Sequence, residues 1–139
     1  RAQKYAVLCG GGMNHRIGLY DAYLIKENHI AASGSIAKAV SQAQSLHSER
    51  SIEVEVETID ELRQAISAGA HRALLDNFGY AEVEEAVALA NGDIELEVSG
   101  NIDAKQIARL SALQVDFISS GALTKHIRAI DYSMRFQQP

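Results

Sequence analysis

The stretch Ser51-Ile52-Glu53-Val54-Glu55-Val56-Glu57 alternates apolar and acidic side chains without a break. A period of two is the signature of a β-strand whose two faces differ. One face carries Ile52, Val54 and Val56, and the other carries three glutamates. On a hairpin lying over a core, the acidic face would meet water. What the glutamates meet here depends on the segments before and after.

Working outward, strand-like runs occupy residues 21–28, 51–57, 72–76, 94–99 and 115–120. Helical spacing fills the gaps at 35–47, 59–68, 80–91 and 104–113, with apolar stripes such as Val83 and Val87, or Ile107, Leu110 and Leu113. Thr58 or Asp60 reads as the cap of the second helix, and Gly69 and Asn91-Gly92 as stop signals. The one proline is Pro139, so nothing interrupts these elements. Strands alternating with helices imply βαβ units and a parallel sheet.

A parallel strand rarely has one face in water, and a doubly wound sheet wants both faces apolar. The runs at 51–57 and 94–99 are apolar on one face only. They fit a barrel wall better: Val54, Val56, Leu96 and Val98 toward the helices, with Glu53, Glu55, Glu57, Glu95, Glu97 and Ser99 inward. The expected fold is therefore α/β, with parallel βα repeats forming part of an incomplete TIM-like barrel. Unpaired carboxylates inside it would be costly. The interior must supply cations, bound water or a ligand.

Barrel function sits at the carboxyl ends of the strands. Those ends read Lys26 and Asn28, then Glu55 and Glu57, Asp76 and Asn77, Ser99-Gly100-Asn101, and Ser119-Ser120-Gly121. The steps from Lys26 to Glu55, Asp76, Ser99 and Ser120 are 29, 21, 23 and 21 residues, one βα unit each. Lys26 offers a cation, while Glu55 and Asp76 offer hard oxygens suited to Mg²⁺ or sugar hydroxyls. The small-residue stretches at 99–101 and 119–122 precede helix starts, where free N–H groups suit phosphate. The plainer readings are a solvated or salt-bridged face for Glu53 and Glu95, a helix cap for Asp76-Asn77 and a turn for Ser119-Ser120-Gly121. Periodicity does not choose between Glu55 and Glu57.

Composition sets the outer bounds. The chain has 139 residues, 47% hydrophobic, with a formal net charge of -5 and one cysteine, Cys9. This is one globular domain with no intrachain disulfide. The acidic balance argues against nucleic acid as a partner. No apolar run approaches a membrane span, so a cytoplasmic protein is expected. Gly10-Gly11-Gly12 lacks the Lys-Ser/Thr of a P-loop. His29, His47 and His71 read as surface or loop residues, and no His/Cys spacing points to zinc. The opening Arg1-Ala2-Gln3-Lys4-Tyr5 is already amphipathic and lacks Met, which reads as a piece of a longer chain.

Between Gly10 and Asn28 runs GGGMNHRIGLYDAYLIKEN, followed later by IEVEVET (52–58), LLDNF (74–78), EVSGN (97–101), DFISSGALTKH (116–126) and DYSMRF (131–136). Together and in this order, these motifs resemble quinolinate phosphoribosyltransferase, the decarboxylating nicotinate-nucleotide pyrophosphorylase, over essentially the whole chain. The resemblance implies a reaction of quinolinate with phosphoribosyl pyrophosphate and Mg²⁺, giving nicotinate mononucleotide, pyrophosphate and CO₂. It implies that residues 1–139 are the C-terminal part of the barrel domain. An N-terminal sandwich domain, a first barrel segment with a Thr-Arg-Lys-Thr motif, and at least a homodimer would complete the site. It places His15 and Arg16 at the quinolinate carboxylates and Lys26 beside both substrates. Glu55 and Asp76 would meet the ribose hydroxyls or the metal, and Ser99, Gly100, Asn101, Ser120, Gly121 and Ala122 the phosphate. Alternatives are a paralogous barrel, molybdenum-associated or nicotinate-specific, and a non-catalytic barrel serving binding or assembly.

Overall fold

A computed structural model describes residues 1–137. Five strands, β1 (Tyr23–Ile25), β2 (Ile52–Val56), β3 (Arg72–Asp76), β4 (Glu95–Ser99) and β5 (Phe117–Ile118), form one sheet. All neighbouring pairs are parallel, and the order in space is the order in sequence. Seven helices accompany them: α1 (Ala2–Cys9), α2 (Glu27–Ser33), α3 (Ile36–Leu46), α4 (Ile59–Ser67), α5 (Tyr80–Ala90), α6 (Ala104–Leu110) and α7 (Ala122–Lys125).

The sequential order decides the architecture. Right-handed crossovers that never reverse direction put every helix on the same side of the sheet. A doubly wound sheet needs a reversal, and this one has none. Helices α2 to α5 accordingly pack in sequence against one another. Their apolar stripes meet Ile52, Val54, Val56, Ala73, Leu75, Leu96 and Val98, all essentially sealed from solvent. This is the outer wall of an open α/β barrel, as the alternation in β2 and β4 requires.

Three boundaries differ from the sequence reading. The first strand stops at Ile25, because α2 begins at Glu27 and Lys26 serves as its N-cap residue with extended backbone. The ring of His29 accepts a hydrogen bond from the Lys26 N–H at 2.9 Å, closing that first helical turn. Asn28 therefore lies on a helix, not at a strand end. The last strand shrinks to Phe117–Ile118, and α6 ends at Leu110, followed by a turn. Helix α5 closes on Asn91, a left-handed residue, and Gly92 turns the chain back into the amino end of β4.

Two further histidines, His47 and His71, stitch elements together. His47 meets the Tyr23 hydroxyl at 2.6 Å, and His71 accepts the Ile52 N–H at 3.0 Å.

Candidate functional site

The strand register fixes which side chains share the inner face. Glu53 lies opposite Leu24 and Arg72, Glu55 opposite Leu74, Arg72 opposite Glu95, and Asp76 opposite Ser99. Alternation then turns Glu53, Glu55, Arg72, Leu74, Asp76, Glu95, Glu97 and Ser99 inward. The interior supplies cations, as the cost of unpaired carboxylates demanded.

At the carboxyl edge, Lys26 donates to Glu55 at 2.6 Å. That hydrogen bond, with the fields of Glu55, Glu27 and Asp76, outweighs partial burial and raises the lysine pKa above its ordinary value. Asp76 accepts from the Ser99 hydroxyl at 3.0 Å and from the Asn77 amide at 2.8 Å. It does not cap α5: the Gly79 N–H there donates to Glu82. Glu57 lies beyond the end of β2, exposed, and its N–H is held by the Glu61 carboxylate that starts α4. Between the two glutamates that periodicity left open, the geometry brings Glu55 to the edge cluster.

Loops above β3 and β4 carry backbone strain. Asn77, Gly100 and Asn101 all have positive φ, and such outliers collect at functional sites. Gly100 is required: a Cβ there would stand 2.8 Å from the Asn77 backbone nitrogen. From the next loop, the Ser120 hydroxyl donates to the Ile102 carbonyl at 2.5 Å and accepts from the Ala122 N–H at 3.3 Å. Gly121 caps the short helix α7. The two small-residue loops are thus tied side by side.

Deeper, toward the strand starts, lies a second cluster. His15 reaches down from its loop to within 2.5 Å of Glu53 and 3.9 Å of Glu97. Arg72 pairs with Glu95 at 2.8 Å and Glu97 at 3.3 Å, and stacks 3.8 Å above the Phe117 ring. Burial opposes the charge on Arg72, but the hydrogen bond and field of Glu95, with Glu53 and Glu97, outweigh it and raise its pKa. Burial, then the charge of Glu97, pushes the Glu53 carboxyl upward against the pull of His15. A cleft of about 330 Å³ opens beside His15, Arg72, Glu97 and Ser119.

The loop carrying His15 and Arg16 is held by Asp21, whose carboxylate accepts the N–H groups of Ile17 at 2.7 Å and Gly18 at 3.1 Å. Arg16 leans on the Ala22 carbonyl at 3.4 Å. Sequence reasoning missed Arg72 and Asp21. The signal for Arg72 was present, because its position in RALLD is in phase with Asp76 and therefore inward. The cluster of His15, Glu53 and Glu97 has no sequence spacing to betray it; register and a returning loop create it.

The family model for the quinolinate phosphoribosyl transferase C-terminal domain matches residues 1–135. A probable nicotinate-nucleotide pyrophosphorylase [carboxylating] of Bacillus subtilis is 43% identical over 133 residues, covering 95% of this chain and 46% of that protein. A chloroplastic nicotinate-nucleotide pyrophosphorylase of Arabidopsis thaliana is 38% identical, over 95% of this chain and 43% of that protein. The solved structure of the nicotinate-nucleotide pyrophosphorylase from Francisella tularensis superposes with a TM-score of 0.90 at 60% identity, covering 94% of this chain and 46% of that one. The chain spans about half the length of the relatives it matches. With motifs, strand order and family model in agreement along nearly its whole length, the chain belongs to the quinolinate phosphoribosyl transferase family, in the part that forms the C-terminal domain.

Proposed function

We propose that the protein containing this chain transfers a phosphoribosyl group from phosphoribosyl pyrophosphate to quinolinate, with loss of CO₂, giving nicotinate mononucleotide for NAD synthesis. The observation that carries this reading is the edge cluster: Lys26, Glu55, Asp76 and Ser99 come from four βα units and form two hydrogen-bonded pairs at one end of the sheet, Lys26 with Glu55 and Ser99 with Asp76, with the charge of Asp76 felt at Lys26. The relatives named above supply the substrate class.

The chemistry suits these residues. Quinolinate is a dianion, and Arg16 can grip a carboxylate with two parallel hydrogen bonds. His15 would serve it through Nδ1, since Nε2 is engaged by Glu53. Lys26, its pKa raised by Glu55, stays charged near neutral pH and acts as an electrostatic anchor rather than a base. Departure of pyrophosphate builds positive charge on the ribose, which the Glu55 and Asp76 carboxylates stabilise. Decarboxylation leaves an electron pair beside a ring nitrogen made cationic by ribosylation. Positioning and charge dominate, with little acid–base work. The loops that carry Ser99, Gly100, Asn101, Ser120, Gly121 and Ala122 would hold the phosphate through backbone N–H groups.

Mg²⁺ fits the same edge. It is usually bound through one or two carboxylates plus substrate phosphates, and Glu55 and Asp76 present half-buried hard oxygens there. When bound, it would neutralise charge on the departing pyrophosphate. The active form is a cytoplasmic homo-oligomer, at least a dimer, whose remaining segments add the further basic groups quinolinate needs. Among the described residues no helix is long and apolar enough to cross a membrane.

The test uses the full-length protein with quinolinate and phosphoribosyl pyrophosphate, following CO₂ and nicotinate mononucleotide. Lys26→Met is expected to lower turnover about 10²- to 10³-fold, the usual loss for a preorganised electrostatic group. Glu55→Gln should raise the KM for phosphoribosyl pyrophosphate more than that for quinolinate. Unchanged turnover in Lys26→Met, or no quinolinate-dependent CO₂ from the wild type, would overturn the reading.

A further inference from the structure

We propose that His15, Glu53 and Glu97 form a binding site for one divalent transition-metal ion on the floor of the inner face, separate from the Glu55–Asp76 edge. Among the described residues this is the one place where three such side chains converge, with their ligating atoms all within 4.8 Å of one another. Two carboxylates and an imidazole are a mixed oxygen–nitrogen set. Such sets suit Mn²⁺, Fe²⁺ or Zn²⁺, whereas Mg²⁺ and Ca²⁺ prefer all-oxygen shells.

Three independent observations support an ion here. First, Glu53 is only 5% exposed, and its Oε1 has no hydrogen-bond partner. A sealed carboxylate oxygen without a partner is rare and asks for one. Second, the charge does not close. Glu53 and Glu97 are both buried, and the one fixed cation near them among the described residues, Arg72, is shared with the exposed Glu95. The imidazole adds a third ligand atom, and a divalent ion would supply positive charge that the two buried carboxylates lack. Third, the outer contacts that orient ligands are built. Glu97 accepts from Ser119 on one oxygen and from Arg72 on the other, and Arg72 is fixed by Glu95 and the Phe117 ring. Outer partners of this kind tune and orient metal ligands.

Access and geometry are compatible. The cleft of about 330 Å³ borders His15, Glu97 and Ser119, giving a path for the ion and room for water ligands. With bonds of about 2.0–2.2 Å to each ligand, two ligand atoms on one ion stand about 3.0–3.5 Å apart, so His15 and Glu53 would part by about 0.5–1 Å from their present 2.5 Å. His15 sits on a loop and can make that move.

The experiment is titration of the chelator-treated full-length protein with Mn²⁺ alone, without either substrate, followed by electron paramagnetic resonance and calorimetry. One Mn²⁺ per chain is expected, with broadening of the His15 ring signals in the NMR spectrum. His15→Gln and Glu53→Gln should each weaken that ion by more than the roughly 10- to 100-fold typical of outer partners, while Asp76→Asn leaves it in place. Circular dichroism checks folding, and His15→Gln, which buries no new orphan, keeps the test decisive if Glu53→Gln misfolds. No bound Mn²⁺ in the wild type, binding that survives His15→Gln, or binding lost only in Asp76→Asn overturns the proposal. None of these outcomes depends on phosphoribosyl transfer.

Discussion

Asp21 is fully exposed, yet its two carboxylate oxygens each take a backbone N–H, from Ile17 and Gly18. Those hydrogen bonds hold its pKa below the ordinary 3.8. The sign follows: a depressed pKa means the loop is braced above pH 3.8 and loses its brace as pH falls through the lower folded value. In an NMR titration, the Ile17 and Gly18 amide resonances should move together with a midpoint below 3.8. A midpoint at or above it would mean the bonds are absent in solution. Asp21→Asn should broaden the loop resonances at neutral pH. Among single residues, the polar strand ends were legible because each fell one βα unit after the last. Arg72 was not read, although its phase with Asp76 in RALLD turns it inward, because an arginine at a strand start is commonplace on its own. His15 beside Glu53 was illegible in principle, since 38 residues separate them and only the folded loop joins them.

At the level of elements, β2 and β4 declared themselves through alternation, and the helices through their stripes. The boundary at Lys26 was misread because LIKEN continues an extended pattern while Glu27 and His29 supply a helical first turn, and local capping won. The loop after β4 offers a sharp test. Gly100 has φ +98 and no room for a side chain against Asn77. Gly100→Ala should cost about 1–3 kcal/mol, the range for a strained backbone position, measured by denaturant unfolding. It should also raise the KM for phosphoribosyl pyrophosphate in the full-length protein. An alanine variant of unchanged stability would show that the loop relaxes freely.

On the scale of the whole molecule, five strands leave two edges, β1 and β5, and neither meets the other. Leu19, Met134 and Phe136 stand 87–93% exposed, with Ile127, Ile130 and Tyr132 also uncovered. Open edges and bare apolar side chains invite pairing. The 139-residue chain alone is therefore expected to self-associate and to turn over quinolinate at less than about a hundredth of the full-length rate, the scale lost when positioning groups are missing. Sedimentation and a parallel assay check both. Full turnover by a monomer would mean this half carries a complete site.

The parallel sheet gives the molecule a front and a back. The Lys26–Glu55 and Ser99–Asp76 contacts lie at the carboxyl ends of the strands, while the turn at Asn91-Gly92 enters β4 from the opposite end. Gly92 has open space around it, with no atom within 4 Å of where a Cβ would stand. That turn is a handle: a fluorophore or an affinity tag attached at the exposed Asp93 beside it would report on the protein, or tether it to a surface, with the opposite end of the sheet left facing solution.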